Sequence, residues 1–558
     1  MTLFRFVIKY LLPLGLLSVL ILITDKSISF DSNLRKPPKI MADRLEAVKY
    51  GEAPQLSALV SKGLLPPISE RLPRNPMLVQ PVERIGAYGG VWRMAMKGKR
   101  DHAMLARTLG YENLVRWDPE WTRIVPNIAQ SFDVNTDATE FTFHLRQGMR
   151  WSDGAPFTAD DMLFWYEDVF SNKHLTKAPS SWLVSGGKPV VLEKIDEYTI
   201  VFRFAAPYGL FLQYLASPQG DQPTIYPRHY LKQFHIDHNR QGITNLIKDS
   251  GATNWIELFN SKVHTRYTRL WNTELPSLNA WILNRHYQKG DKAIVAERNP
   301  YYWKIDTEFN QLPYIDRIVY TIVKDIDAIQ EMAISGQIDM QDRRISNNVA
   351  LAEYMESGGY HLYQKIRANS NELAISLNLT HRDPVLRRVF QNKDFRIGLS
   401  HAMDRQRIIK ELNQGEGEPC QVAPLPYSPF YNERLAKQYI TYDLKLANHH
   451  LDIAGYKNRD GAGFRLGPDG KRISFVIQVP DNRESEVPYL DLIQTYWRDV
   501  GIDMRYELAA RDIVEQRVRN NMHDATVWVG VGGLDVILAP RHYLPASWQA
   551  FNVSYAVA

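Results

Sequence analysis

The stretch from Phe141 to Asp161 constrains the fold of this chain more than any other. Phe141, Phe143 and Leu145 alternate with Thr142, His144 and Arg146, the period-2 pattern of a strand with one buried face. Gln147-Gly148 and Ser152-Asp153-Gly154 carry turn chemistry, and Pro156 ends any extension of the strand. Thr158 stands three residues before Asp161, the spacing of a capping box. It opens a helix with Met162, Trp165 and Val169 on one side. The segment reads as strand, turn, helix. Similar strand and helix patterns alternate from Gly86 to the end of the chain, which predicts an α/β architecture with more than one sheet.

At 558 residues the chain is long enough for two or three domains with a large core. Hydrophobic residues at 44% and charged residues at 23% are ordinary globular values and exclude wholesale disorder. A net charge of +5, well mixed along this length, gives no support to a nucleic-acid partner. The 13 Trp and 29 Tyr are mostly core, and they also suit recognition of flat ligands by stacking.

Arg5 and Lys9 precede an apolar run from Tyr10 to Ile23. A run of roughly 14 residues falls short of the 20 or so a spanning helix needs, and it fits a secretory signal. Ser27-Ile-Ser29 is the best small-residue cleavage candidate, so residues 1–29 read as a signal peptide or an uncleaved N-terminal anchor, and the chain as exported. Cys420 is the only cysteine, which rules out an intramolecular disulfide and any lipid-modified cysteine just after the apolar run. Residues 30–85 are polar and proline-punctuated, a linker or arm in which Arg44 to Val60 is the one helical candidate.

Several further blocks follow a known order. These are Tyr111-Glu-Asn-Leu-Val115, Pro126-Asn-Ile-Ala129, Asp196-Glu-Tyr-Thr-Ile-Val-Phe-Arg-Phe204, Asn299-Pro-Tyr-Tyr-Trp303, Leu312-Pro-Tyr-Ile-Asp316, Ser335-Gly-Gln-Ile-Asp339 and the helix from Asp394 to Arg405. With the Phe141–Asp161 signature, they resemble the extracellular solute-binding proteins of the peptide/nickel type, family 5. The resemblance implies a two-lobed periplasmic-binding-protein-like fold (class II, cluster C) with an extra subdomain in the first lobe. The first lobe would cover 86–338 with the subdomain at about 111–225, and the second lobe 339–540. Residues 541–558 would return to the first lobe, and their early stop favours a truncated chain over a first lobe closed differently. The family role implies a non-enzymatic, monomeric periplasmic receptor. It would close on an oligopeptide or an oligosaccharide or opine-like ligand and deliver it to an ABC permease and ATPase, with no cofactor and no metal. A secreted carbohydrate-active enzyme and a ligand-sensing subunit are the alternatives.

Catalytic motifs are thin. No His-Glu-x-x-His, nucleophile elbow, Cys-x-x-Cys pair or phosphate loop occurs. Gly461 to Lys471 reads as a glycine-rich hairpin rather than a dinucleotide loop. His235-x-x-His238 and His449-His450 have no acidic or Cys partner at ligand spacing and read as solvated surface histidines. Asp160-Asp161 and Asp325-x-Asp327 sit at helix starts, where the helix dipole accounts for them.

The stretch expected to face ligand runs from His523 to Asp535. Ala525, Val527 and Val529 alternate with Thr526 and Trp528, and Gly530, Gly532 and Gly533 then let a ligand or another backbone approach. In peptide-binding relatives this strand ends near an Asp that pairs with the peptide ammonium. Here that place falls at Gly533, with Asp535 the nearest acid. Trp528 is the leading stacking candidate, while Tyr111, Asn113 and Arg541 are ligand candidates by position in the family pattern alone.

Overall fold

The computed structural model describes residues 49–530 and Val536, apart from 99, 100, 102, 264, 265, 286, 289, 346, 347, 364, 365 and 367. The apolar run at 10–23, the cleavage candidate at Ser29 and the return segment 541–558 lie outside them. Among the described residues no helix is long and apolar enough to cross a membrane. The chain divides into two compact units, Met1–His361 and Leu362–Ala558.

Unit 1 holds two four-stranded sheets built from β1 (Val91–Met96), β2 (Ala129–Val134), β3 (Glu140–Leu145), β4 (Val191–Asp196), β5 (Thr199–Arg203), β6 (Trp281–Leu283), β7 (Ala293–Arg298) and β8 (Arg317–Ile322). One sheet has the order β2-β3-β5-β4, antiparallel throughout. The other has the order β6-β7-β8-β1, with only β8 and β1 parallel. In β3 the alternation holds: Phe141, Phe143 and Leu145 are buried, while the residues between them are half-buried. Each inward ring meets others edge-on, as Phe143 meets Phe202 with centroids 5.6 Å apart. The core around this sheet draws on Val263, Leu275 and Trp303, well past Ile225.

The turn and cap after β3 form as their chemistry dictates. Gly154 has φ of +89°, and a Cβ there would come within 2.8 Å of the Tyr301 hydroxyl, so both the conformation and the close approach exclude a side chain. Thr158 caps α1 (Ala159–Phe164), and the Asp161 carboxylate returns to the Thr158 amide at 3.0 Å. Thr158→Ala should therefore cost about 1 kcal/mol of stability in a denaturant titration. The helix does not continue regularly through Trp165 and Val169, because Trp165–Phe170 is a π-helix. Both side chains are nonetheless buried.

The described part of the segment read as an arm, residues 49–85, belongs to unit 1. Its described helices are Pro54–Ser61 and the single turn Ile68–Arg71, and Met77–Val79 pairs in parallel with Lys304–Asp306. Arg71, fully buried, donates to the Pro66 carbonyl at 3.0 Å, the Gln311 side chain at 3.0 Å and the Glu52 carboxylate. The segment from Asp339, expected to open the second lobe, is also tied to unit 1. Asp339 binds the Arg93 amide at 2.6 Å, Gln341 bridges to Ala95, and Arg343 pairs with buried Asp101 at 2.7 Å. These bonds carry the unit boundary on to His361.

Unit 2 is a mixed sheet of β9 (Asn371–Leu377), β10 (Ser474–Pro480), β11 (Asp503–Ala509) and β12 (Ala525–Gly530), ordered β9-β12-β10-β11. Strands β12, β10 and β11 are parallel and β9 is antiparallel. The helices include α2 (Lys393–His401), α3 (Leu444–Ile453), α4 (Val487–Asp499) and α5 (Arg511–Arg519). Ala525, Thr526 and Val527 are all buried, so both faces of β12 are covered over its first half. The strand lies between β9 and β10, in the interior of the sheet, with a hydrogen-bonded neighbour on each edge. The glycine-rich hairpin forms, with antiparallel bridges Arg459–Arg465 and Leu466–Arg472.

Candidate functional site

The parallel strands of unit 2 bring their carboxyl ends to one edge, the place where open α/β sheets hold ligands. Trp528, two residues before the end of β12, is half-buried there. The Arg483 guanidinium, from the short helix after β10, lies 5.0 Å from its ring centroid. The Arg511 guanidinium, at the start of α5 after β11, lies 5.2 Å away. Arg511 is held in turn by Glu515 at 2.8 Å. Stacked arginines fix the indole and lose little freedom when they donate hydrogen bonds.

Arg483 interrupts its own short helix, with φ −119° and ψ 20°, and pairs with Glu486. Glu486 is 6% exposed, and burial pushes its carboxyl up to about 7, with Glu372 adding to the shift and Arg483 opposing it. Two buried polar atoms here have no partner, Nε of Arg483 and Oε2 of Glu486. One needs an acceptor and the other, while ionised, a donor. Sequence reading passed over Arg483, Glu486 and Arg511, although their position just after two strand ends was a usable signal. Gly530 at the end of β12 admits backbone rather than ligand: a Cβ there would meet Ser370 Oγ at 2.5 Å and the Asn371 amide at 2.8 Å. Gly532, Gly533, Asp535 and Arg541 lie outside the described residues.

The other two sequence candidates belong to unit 1. Tyr111 is 38% exposed and lines a shallow recess with Trp151, Thr224, Arg269 and Asn272. Asn113 is buried, and its Nδ2 donates to the carbonyls of Leu215 at 2.6 Å and Ser217 at 2.7 Å, bonds that hold backbone in place. Glu112 between them accepts from Lys304 at 2.9 Å, Tyr302 at 2.7 Å and Asn127 at 2.8 Å. Three of the recognised sequence blocks thus meet at one half-buried carboxylate. Cys420 is half-buried, and burial raises its thiol above the ordinary value, which argues against a reactive thiolate.

The histidine pairs differ from expectation. His235 is fully buried, and His238 meets the Asp168 carboxylate at 3.0 Å. His450 pairs with Asp394 at 2.8 Å. Both acidic partners are distant in sequence, so local spacing gave no hint of them. Asp161 and Asp325 serve helix starts as expected, Asp325 accepting from the Ala328 amide at 2.9 Å.

A mixed α/β chain with a ligand edge of this kind has the build of a solute-binding protein. The chain matches the bacterial extracellular solute-binding proteins, family 5 (middle), over residues 123–544 and belongs to that family. It is 37% identical to a solved oligopeptide-binding protein OppA, covering 90% of this chain and 78% of that one with a TM-score of 0.63. The solved periplasmic binding protein MelB of Agrobacterium fabrum C58, in complex with stachyose, is 22% identical and shares the fold with a TM-score of 0.68, covering 86% and 74%. The periplasmic alpha-galactoside-binding protein of Rhizobium meliloti is 28% identical over 74% of this chain, and the match spans 60% of that relative's length.

Proposed function

We propose that the chain is the periplasmic solute-binding receptor of an ABC importer, that it binds without turnover, and that its ligand is an oligosaccharide. The observation that carries the ligand class is the pair of unpartnered atoms in the Arg483–Glu486 ion pair, Arg483 Nε and Glu486 Oε2, with the Arg483 guanidinium against the Trp528 ring. A sugar hydroxyl accepts and donates at once, so it can serve both, while the indole offers an apolar face to the ring. The names of the Rhizobium relative and of the MelB complex support the same class. The name of the OppA relative supports an oligopeptide, the second reading. A receptor of this kind needs two states that differ in ligand affinity, because a ligand that binds both equally shifts nothing.

Calorimetric titration of raffinose, stachyose and a peptide panel into Trp528→Ala and the parent protein tests the ligand class. Loss of the indole should weaken sugar binding by about 1–3 kcal/mol, the range for aromatic stacking on flat ligands. Tight peptide binding abolished by Asp535→Asn, with no sugar bound, would contradict the oligosaccharide reading.

A further inference from the structure

Far from Trp528 in sequence, and within unit 1, three metal-ligating side chains come together: Asp168, His235 and His238. We infer that they form a binding site for a divalent first-row transition ion such as zinc. One donor atom from each lies within 4.8 Å of the others. Two imidazoles and a carboxylate are a common zinc donor set, one that leaves a fourth position for water or another oxygen.

Three elements hold the donors. Asp168 belongs to the π-helix Trp165–Phe170, an irregularity that recurs at functional sites. His235 follows the short helix Lys232–Phe234, and His238 lies in the turn after it, its amide bonded to the His235 carbonyl at 3.2 Å. The rings are set by aromatic neighbours. His235 packs edge-on against Trp255 with centroids 4.8 Å apart, and His238 lies 5.7 Å from Phe164.

The polar contacts already converge on Asp168. His238 Nε2 lies 3.0 Å from its carboxylate and His235 Nε2 lies 3.2 Å from its carbonyl, while Asn172 Nδ2 lies 3.3 Å from His235 Nε2. A cation drawing in the two Nε2 atoms and the carboxylate replaces bonds that are present rather than building a site from nothing. The Asp237 amide donates to His235 Nδ1 at 3.3 Å and so helps to set the ring. Access comes from the outer side, since the side chains of His238 and Asp168 are 30% and 20% exposed while that of His235 is fully covered.

The test uses the full-length protein without a histidine tag, stripped with chelator and then titrated with zinc by calorimetry and with cobalt by visible absorption. The expected result is one saturable site per chain and the intense visible bands of four-coordinate cobalt. His238→Ala and Asp168→Asn should each weaken zinc binding by about 100-fold, at the upper end of what loss of an outer-shell partner alone produces. His449→Ala, at an exposed histidine elsewhere, should leave binding unchanged. His235 is avoided because its buried ring also supports the fold. Absence of a saturable site, or affinity unchanged in both ligand variants, would overturn the inference.

Discussion

Replacing Glu112 by Ala should destabilise unit 1 by about 3–5 kcal/mol, the cost of leaving a buried charge without its partner. Lys304 is 4% exposed and its ammonium lies 2.9 Å from the Glu112 carboxylate. Burial pushes the Lys304 pKa down and Glu112 holds it up, so removing the acid leaves desolvation unopposed by its main counter-charge. Arg146, also buried nearby, worsens the field. The Tyr302 hydroxyl and the Asn127 amide lose an acceptor in the same step. A denaturant titration reads the loss as a lower midpoint with an unchanged slope. Combining Glu112→Ala with Lys304→Met should recover part of the loss, because both charges then leave the interior together. No recovery would show that the network acts through shape rather than charge.

Acid should weaken unit 2 chiefly through His523. This residue is 2% exposed, and neither ring nitrogen has a partner. Burial, assisted by repulsion from His381, drives its pKa from 6.5 to about 4. The folded state therefore favours the neutral ring, while the unfolded chain takes up a proton as pH falls below 6.5. Stability from this group is complete above pH 6.5 and falls by about 3 kcal/mol as pH drops to 4, at 1.36 kcal/mol per unit. His381 runs the other way. Its pKa is raised by the hydrogen bond to Asp524 at 2.9 Å, so its contribution is complete below 6.5 and is lost as pH rises through the folded value. Asp524, held below 3.8 by that same bond and by the Val476 amide, weakens only in stronger acid. Replacing His523 with Leu should thus gain about 2–3 kcal/mol more, relative to the parent, at pH 4.5 than at pH 7.5. Parallel pH profiles for parent and variant would contradict this assignment.

How far the residues themselves announced the structure depends on the range over which each feature is built. The strand at Phe141–Leu145, the capping box at Thr158 and the Gly461–Lys471 hairpin rest on neighbours in sequence, and each forms as read. The π-helix after Phe164 carries no local mark, and regular helix periodicity passes over it. The alternation from Ala525 to Trp528 carries no sign that Thr526 is as buried as its neighbours, a consequence of the central position of β12. Trp528 was visible as an aromatic near a strand end. Its guanidinium neighbours were not, because they come from two other strand ends and meet it only in the folded sheet. The same holds for Asp168 and His235, which are 67 residues apart.

A receptor of this kind binds its solute and leaves it unchanged. Purified full-length protein, stripped of co-purified ligand, would be melted in the presence of raffinose, stachyose and a tri- to pentapeptide library, and each bound compound recovered after overnight incubation for mass spectrometry. A true ligand at 100 times its dissociation constant should stabilise the fold by about 2.7 kcal/mol, and it should be recovered with its mass unaltered. Recovery of hydrolysed or otherwise modified ligand, dependent on the protein, would contradict the receptor account.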